Sequence, residues 1–214
     1  FQRRLVKRAR HLRKWPAKRG IHCYRLYEKD VPEIPLVVDK YDDHLHLSEF
    51  ERPHDRDLAQ HDDWLELMRV SAAQALDVPV SKAFLKRRGM QRGKAQHGRV
   101  SQDRYEIEVE ENGLKFLVNL SDYVDTGLFL DHRETRMMVC NESLDKDVLN
   151  LFAYTGSFSV YAADGGAKST TTVDLSSRYL DWAERNMELN GFTSAAHNYV
   201  QSDIREYLSS LPQE

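Results

Sequence analysis

The sequence predicts an α/β protein in which a small α+β region precedes a doubly wound parallel sheet. After residue 121, strand candidates alternate with helix candidates, which is the order that builds a parallel sheet. The strand candidates are Val148–Phe152, Thr170–Asp174 and Tyr199–Gln201, and the helix candidates are Thr126–Met138, Ser157–Ala163, Arg178–Asn190 and Asp203–Leu211. Before residue 121, short strand candidates surround one amphipathic helix, which is typical of an α+β arrangement.

The first 120 residues contain turn signals that separate these elements. Apolar residues at helical spacing predict a basic amphipathic helix over residues 1–19, ended by Pro16 and Gly20. The dipeptide Asn112-Gly113 lies between two strand candidates and predicts a hairpin. The other elements predicted here are strands over Cys23–Tyr27, Leu36–Asp39, His44–Phe50 and Val80–Lys86, and a helix over Asp55–Leu76. We expect three regions, namely residues 1–52, 53–120 and 121–214.

Composition excludes several classes of protein. No apolar stretch approaches the ~20 residues that a membrane-spanning helix needs, and the basic N-terminus has no apolar core of a secretory signal. Cys23 and Cys140 lie far apart in the sequence and outside any CxxC spacing. We therefore expect reduced thiols in a cytoplasmic, monomeric protein, rather than a disulfide or a metal site.

Positive charge is concentrated in two segments. Residues 1–20 contain nine Lys or Arg and residues 80–99 contain seven, and neither segment contains an acidic residue, although the whole chain has a net charge of -3. A basic surface on an acidic protein is typical of binding to a polyanion. A solvated helix face and a plain connecting loop would give the same composition, so both interpretations stay open here.

The segment NLFAYTGSFSVYAADGGA, residues 150–167, predicts a strand, a tight turn at Gly156 and a helix. A phosphate-binding P-loop would need a Gly-Lys-Ser/Thr sequence, and a dinucleotide site would need GxGxxG; neither occurs at this turn. Two interpretations remain, a purely structural turn and a site for S-adenosylmethionine, which carries no phosphate. Asp174 and Asp203 follow the next two strand candidates, where acids can accept hydrogen bonds from a ribose and an adenine amino group, although either acid could simply cap a helix.

Four segments resemble a known enzyme family. They are DTGLFLDHR (125–133), residues 150–167, TTTVDLSSRYLDWAERNMELNG (170–191) and QSDIREYL (201–208). They are similar to the C-terminal methyltransferase half of the bifunctional bacterial methyltransferases of large-subunit ribosomal RNA, and residues 20–41 and 82–99 extend the resemblance over most of the chain. The resemblance implies a Rossmann-like class I methyltransferase fold, S-adenosylmethionine as cofactor, and 23S ribosomal RNA as partner, methylated at N7 of a guanine. It also implies a second methyltransferase domain, fused or paired, on the N-terminal side.

The resemblance further implies roles for individual residues. The cofactor would contact Tyr154, Thr155, Gly156, Ser157, Asp174, Leu175, Asp203, Thr126, Asp131 and Arg133. From the two basic segments we expect the RNA to contact the basic helix and the basic loop through Arg4, Lys7, Arg8, Arg87, Arg88, Arg92 and Lys94. For Thr126, Asp131 and Arg133, a helix start with ion pairs is an almost equally good interpretation.

Methylation at guanine N7 requires no general base, because that nitrogen carries no proton. We therefore expect no catalytic His or Cys. In the family, an Asp-Pro-Pro type motif that contacts the target base follows on a later strand, and the sequence ends at Glu214 before it. We expect a truncated methyltransferase sheet, an unknown catalytic residue and no activity of these 214 residues alone. A non-catalytic RNA-binding module stays open as the alternative, and a nicotinamide-dependent oxidoreductase is disfavoured by the missing GxGxxG.

Overall fold

A computed structural model describes residues 1–50, 53–88, 105–122 and 125–212. The chain divides into two compact units: residues 1–113 with 119–126 form the first unit, and residues 114–118 with 127–214 form the second. Each unit combines helices with strands, so the predicted α/β class is confirmed. The predicted three-region division stays a prediction.

The first unit contains a four-stranded mixed sheet. Its strands are β1 (Cys23–Glu28), β2 (Leu36–Tyr41), β3 (His44–Phe50) and β4 (Ala83–Arg88), in that spatial order. β1, β2 and β3 pair antiparallel, whereas β3 and β4 pair parallel. A parallel pair needs a long crossover connection, which contains helix α3 (Leu58–Ala75). α3 begins with a capping box, in which Asp57 and Gln60 bond reciprocally to each other's backbone N–H.

The core of the first unit is formed by apolar side chains from the sheet, α3 and the N-terminal helix. Its buried members include Leu5, Leu26, Leu36, Val38, Leu45, Leu47 and Leu65. Because Leu5 is fully buried while the basic residues around it are exposed, the N-terminal helix is amphipathic as predicted. A β-hairpin candidate is also confirmed: β5 (Glu106–Glu111) and β6 (Leu114–Asn119) form a two-stranded sheet.

Two predicted boundaries in the first unit are wrong. The N-terminal helix is divided into α1 (Gln2–Leu12) and α2 (Lys14–Lys18), and Pro16 lies inside α2 rather than ending a helix. Proline is tolerated there because it is in the first turn, where its missing N–H would have no intrahelical partner. The predicted strand Val80–Lys86 begins instead with a 3-10 turn, Val80–Lys82, so β4 starts at Ala83.

The second unit contains a three-stranded parallel sheet with strand order β7-β8-β9. The strands are β7 (Asp147–Leu151), β8 (Ser169–Asp174) and β9 (His197–Gln201), and the helices are α4 (Arg133–Glu142), α5 (Ser157–Asp164), α6 (Ser177–Leu189) and α7 (Ile204–Ser210). The predicted parallel sheet is therefore confirmed, and each strand lies within three residues of its predicted bounds. In parallel sheets, ligands bind beyond the carboxyl ends of the strands, which here are Leu151, Asp174 and Gln201.

The predicted helix over Thr126–Met138 is wrong in its first half. Gly127 has φ +101°, which is incompatible with a helix, and a 3-10 turn over Leu130–His132 precedes α4. A Cβ atom at Gly127 would lie 2.4 Å from Cζ2 of Trp182. Gly127 therefore combines a positive φ with close packing of its backbone against an indole ring, and both require a glycine at this position.

Candidate cofactor site

The turn between β7 and α5 has an unusual backbone. Phe152, Tyr154 and Gly156 have φ values of +55°, +51° and +69°. Positive φ is uncommon for residues other than glycine, and its occurrence at both Phe152 and Tyr154 indicates a turn held in place by its surroundings. The turn leaves the Phe152 side chain 82% exposed just beyond the carboxyl end of β7.

Gly156 is required at this turn for two reasons. Its left-handed conformation directly precedes α5, as predicted for a strand-to-helix turn. In addition, a Cβ atom at this position would lie 2.6 Å from the Cβ atom of Ala183 on α6. The missing side chain therefore permits both the backbone turn and the close approach of α6.

Asp174 connects the end of β8 to this turn. Its Oδ2 accepts a hydrogen bond from the backbone N–H of Tyr154 at 2.9 Å, and its Oδ1 accepts one from the N–H of Ser176 at 2.9 Å. Each carboxylate oxygen has two lone pairs, so both retain capacity to accept a further hydrogen bond from a ligand. Leu175, the next residue, is 68% exposed at the same edge of the sheet.

Two hydrogen bonds hold Thr155 in place, one through its side chain and one through its backbone carbonyl. Its Oγ1 donates to the carbonyl of Gly127 at 2.5 Å, and its own carbonyl accepts a hydrogen bond from Nδ2 of Asn186 at 2.8 Å. Asn186 is fully buried and its Oδ1 accepts from the N–H of Leu117 at 2.9 Å. Ser157, the last predicted residue of the turn, is the first residue of α5.

Sequence reasoning did not identify Asn186 and Trp182 as supports of the turn. Trp182 donates from Nε1 to the carbonyl of Leu117 at 3.1 Å, and the two side chains are one helical turn apart on α6. The available signal was the position of Asn186: it lies on the same helix face as Trp182 and Ala183, which are apolar and buried. A polar side chain on a buried helix face must find hydrogen-bond partners, and here they belong to the turn and its neighbour.

Asp203 follows β9 and is exposed at the start of α7. Its Oδ1 accepts hydrogen bonds from the N–H groups of Arg205 at 2.8 Å and Glu206 at 3.4 Å, so the residue caps the helix. Gln201, two residues earlier, is paired in register with Asp174. Because the strands are parallel neighbours, both acids follow strand ends on the same edge of the sheet.

The three residues predicted from the segment 125–133 have different environments. Thr126 is buried in the first unit, where its Oγ1 lies 2.7 Å from Oη of Tyr41. In the second unit, Asp131 is exposed in the 3-10 turn and Arg133 is buried at the start of α4. A contact of these residues with a cofactor stays a prediction.

Five of the seven predicted RNA-contacting residues lie in the described part of the first unit. Arg4, Lys7 and Arg8 are exposed on α1. Arg87 forms an ion pair with Asp62, and Arg88 ends β4. Arg92 and Lys94 lie outside the described residues.

Neither cysteine is placed to act as a nucleophile. Cys23 is fully buried, and burial together with the nearby Asp164 carboxylate raises the pKa of the Cys140 thiol. A raised pKa keeps a thiol protonated and unreactive at neutral pH. In the described part of the chain, no three His, Cys, Asp or Glu side chains come together to hold a metal ion. Over the same residues, no helix is both long and apolar enough to cross a membrane.

Comparison with known proteins identifies relatives along most of the chain. This chain is 44% identical over 210 residues to the ribosomal RNA large subunit methyltransferase K/L of Vibrio cholerae, and the match covers 98% of this chain and 30% of that protein. It is 43% identical over 210 residues to the ribosomal RNA large subunit methyltransferase K of Neisseria meningitidis, covering 98% of this chain and 59% of that protein. The chain thus spans less than two thirds of the length of these relatives.

Solved structures share the fold as well. The crystal structure of a putative methyltransferase complexed with SAH superposes with a TM-score of 0.70 at 25% identity, covering 97% of this chain and 53% of that chain. A family profile described as S-adenosylmethionine-dependent methyltransferase matches residues 23–210, which include the turn, Asp174 and Asp203. This chain belongs to the S-adenosylmethionine-dependent methyltransferases.

Proposed function

We propose that this chain binds S-adenosylmethionine at the carboxyl edge of the β7-β8-β9 sheet and serves the methylation of N7 of a guanine in 23S ribosomal RNA. The observation that supports it most is the hydrogen bond between the Asp174 carboxylate and the Tyr154 N–H, in a chain similar over 98% of its length to large-subunit ribosomal RNA methyltransferases. The bond brings together the two elements that a nucleoside-like ligand needs, an acceptor for hydroxyl groups and an open backbone turn.

The residues at this edge fit the cofactor's chemistry. Asp174 supplies acceptor atoms for the two ribose hydroxyls, and the exposed Leu175 offers an apolar surface for the adenine ring. Asp203 can accept from the adenine amino group with the lone pairs that the helix cap does not use. The turn from Tyr154 to Ser157 is then the contact for the methionine part, and Asp131 and Arg133 are further candidates there.

When bound, S-adenosylmethionine supplies a methyl group on a positively charged sulfur. Guanine N7 would attack the methyl carbon with its in-plane lone pair, and S-adenosylhomocysteine would leave as the sulfur–carbon bond breaks, so no proton would have to be removed. Alignment of the two reactants therefore provides most of the catalysis, and well-oriented reactions gain up to ~7–11 kcal/mol in this way. The rigid turn and the carboxylate contribute by holding the cofactor in one orientation.

The proposed RNA-binding surface is the basic face of α1, together with the segment that contains Arg87, Arg88, Arg92 and Lys94. Arg4, Lys7 and Arg8 are exposed on this helix while Leu5 anchors it in the core. Exposed cations of this kind contact phosphates, which gives affinity without sequence selectivity.

Titration with S-adenosylhomocysteine tests the cofactor site. Asp174→Asn removes one acceptor oxygen and places an amide N–H₂ against a backbone donor, so loss of hydrogen bonds worth ~1.5–3 kcal/mol should weaken binding about 10- to 100-fold. Asp147→Asn is the matched control, because Asp147 begins β7 and therefore lies at the amino ends of the parallel strands, away from the proposed site. Equal affinities of the two variants would refute the proposed site.

Methyl transfer to 23S ribosomal RNA by the full-length polypeptide that contains these 214 residues tests the reaction. We expect digestion of the product and mass spectrometry to identify 7-methylguanosine, and a transfer rate that does not rise with pH, because no base has to be deprotonated. A methyl group on another atom would refute the N7 assignment. The expected inactivity of the 214 residues alone stays a prediction that the same assay tests.

A further inference from the structure

The first unit contains a basic groove between α1 and the end of α3. Its volume is about 510 Å³, and it is lined by Arg3, Lys7 and Arg10 of α1 and by Gln74 and Ala75 of α3. All three cations are exposed to solvent. Sites for small molecules occupy about 300–1,000 Å³, so a group the size of a nucleotide fits in the groove.

Contacts between the two helices fix the walls of the groove. Leu5 of α1 is fully buried, in the same apolar cluster as Ala72 and Ala73 of α3. At the groove itself, Nε2 of Gln2 donates a hydrogen bond to the carbonyl of Ser71 at 3.4 Å. The groove is therefore part of the folded unit and does not need a ligand to hold its two walls together.

The three cations of the groove have no partner among the residues that the structure describes. Within that part of the chain, Arg3, Lys7 and Arg10 form no ion pair and no side-chain hydrogen bond. Other cations of the same unit do, since Arg25 and Arg69 are both bonded to carboxylates. The end of α3 does not use the cations of the groove either, because three of its last four carbonyl groups accept hydrogen bonds from the backbone that follows the helix.

Helix geometry places these cations in one row. Arg3, Lys7 and Arg10 are separated by four and then three positions, so they lie on one face of α1. Like charges at these spacings repel each other and destabilise a helix, and an anion bound along the row removes that repulsion. At a rise of 1.5 Å per residue the row is about 10 Å long. Strands of nucleic acid present phosphates at intervals of a few ångströms, so a row of this length can contact two of them.

A second basic row on α1 does not line the groove. Arg4 and Arg8 are exposed and four positions apart, but they lie about 100° further around the helix than Arg3 and Lys7. The structure therefore divides the cations of α1 into two rows of the same charge. Only one of these rows lies in a groove that α3 helps to form.

We propose that this groove holds two neighbouring phosphates of an RNA strand, with Arg3, Lys7 and Arg10 as their contacts and the end of α3 as the opposite wall. The inference rests on the proposed function in that the partner is RNA. It adds a defined phosphate site to a surface that was otherwise described only as basic. It also assigns the main contacts to Arg3 and Arg10, which the sequence did not single out, ahead of Arg4 and Arg8.

Filter binding of 23S ribosomal RNA to the full-length polypeptide that contains these 214 residues tests the proposal. Arg3→Gln/Arg10→Gln removes two cations of the groove, and Arg4→Gln/Arg8→Gln removes two cations of the same helix outside it. Glutamine has nearly the helix propensity of arginine, so both variants should fold. Loss of two phosphate contacts should reduce the slope of log K against log salt concentration by about 1.4 and weaken binding about 10-fold at ~0.2 M salt. The Arg4/Arg8 variant should weaken binding no more than about 3-fold, because charges outside the groove act through screened attraction.

The wall formed by α3 provides a second measurement. Gln74→Glu adds a carboxylate to the groove with almost no change of shape, and Gln60→Glu makes the same change in the first turn of α3, where glutamate preserves the capping box. The two positions are about 21 Å apart along the helix. We expect Gln74→Glu to weaken RNA binding about 5-fold by repelling the phosphates, and Gln60→Glu to leave it unchanged, because a charge at that distance is screened.

The outcomes separate this inference from the proposed function. Equal losses of affinity in the two arginine variants, or in the two glutamate variants, would overturn the inference and leave the proposed function in place. Competition by polyglutamate as strong as that by polyuridylate would overturn the assignment of the groove to RNA. If the groove variants lose affinity as expected but the wild type transfers no methyl group to ribosomal RNA, only the proposed function is refuted.

Discussion

Replacement of Gly156 by alanine tests most directly why the turn between β7 and α5 has a glycine at this position. Gly156 combines a φ of +69° with a missing Cβ atom whose place is 2.6 Å from the Cβ atom of Ala183 and 3.1 Å from its Cα atom. Carbon atoms in contact are normally about 3.5–4.0 Å apart, so the substitution forces either the turn or α6 to move.

Two contributions set the expected loss of stability. The left-handed conformation costs a non-glycine residue about 1–2 kcal/mol. Overpacking of a close contact costs about 1–3 kcal/mol, and here the obstructing atoms belong to a helix backbone and its Cβ rather than to a flexible side chain. The free energy of unfolding of the second unit should therefore fall by about 2–5 kcal/mol.

Gly191→Ala separates the two contributions. Gly191 has φ +78° and follows α6, but a Cβ atom there would meet nothing within 4 Å. The same substitution therefore has the backbone cost of about 1–2 kcal/mol without the steric one. Both variants restrict the unfolded chain equally, so that effect cancels in the comparison.

Urea unfolding of the two variants, followed by circular dichroism, measures the difference. We expect Gly156→Ala to lose about 1–3 kcal/mol more than Gly191→Ala, and adding Ala183→Gly to Gly156→Ala to recover part of this excess. Affinity for S-adenosylhomocysteine should fall only in the Gly156 variant. Equal losses in the two alanine variants would show that close packing against α6 is not the reason for glycine at position 156.

Three further predictions concern other parts of the chain. Asn186→Ala should lower the free energy of unfolding by about 2–4 kcal/mol and weaken cofactor binding, because the backbone groups of Leu117 and Thr155 that it bonds are left buried without partners. Asn190→Ala removes similar but exposed hydrogen bonds to Lys115, so it should lower the free energy of unfolding far less in the same urea titration. Burial lowers the pKa of His197, so the folded state disfavours its charged form. Because the unfolded state binds the proton more readily, the protein loses stability as the pH falls below ~6.5, the pKa of an unfolded histidine. The urea midpoints at pH 8 and pH 5 should therefore differ more in the wild type than in His197→Gln. Reversing the charges of Arg4, Lys7 and Arg8 on the basic face of α1 should weaken the salt dependence of RNA binding. The slope of log K against log salt concentration should become less steep by about 0.7 for each phosphate that the helix no longer neutralises. Reversing the charges of Lys146 and Lys168 on the second unit should leave this slope unchanged.

The elements of both units could largely be predicted because their apolar residues follow the periods of strands and helices. The predictions were wrong where a tertiary contact or a fine point of helix geometry decides the local structure. Gly127 lies at the start of the predicted helix, yet it has a φ of +101° beside the Trp182 ring, and the helix begins only at Arg133. Pro16 is compatible with α2 only because a new helix begins at Lys14, and nothing in the local composition indicates that division.

Glu49 shows why buried polar residues are difficult to identify from sequence. The sequence predicts a strand over His44–Phe50 but does not indicate that both of its faces are buried. The structure instead buries every residue of β3 except Phe50, which is half-buried, and β3 lies in the interior of the sheet between β2 and β4. Burial on both faces depends on which elements cover the sheet, and α3 supplies part of that cover from a distant part of the sequence.

The structure also gives a physical reason why a turn with one glycine suits a ligand without phosphate. Phosphate-binding turns point their backbone N–H groups at the ligand, and their negative charge comes from that ligand. Here the N–H of Tyr154 is already bonded to the carboxylate of Asp174, so the protein itself supplies the negative charge at the turn. A phosphate at the same place would be repelled, whereas hydroxyl donors such as those of a ribose would be attracted. The acid at the end of β8 therefore favours a ribose, as the corresponding acid of NAD-binding folds does, and the absence of GxGxxG is what counts against a dinucleotide.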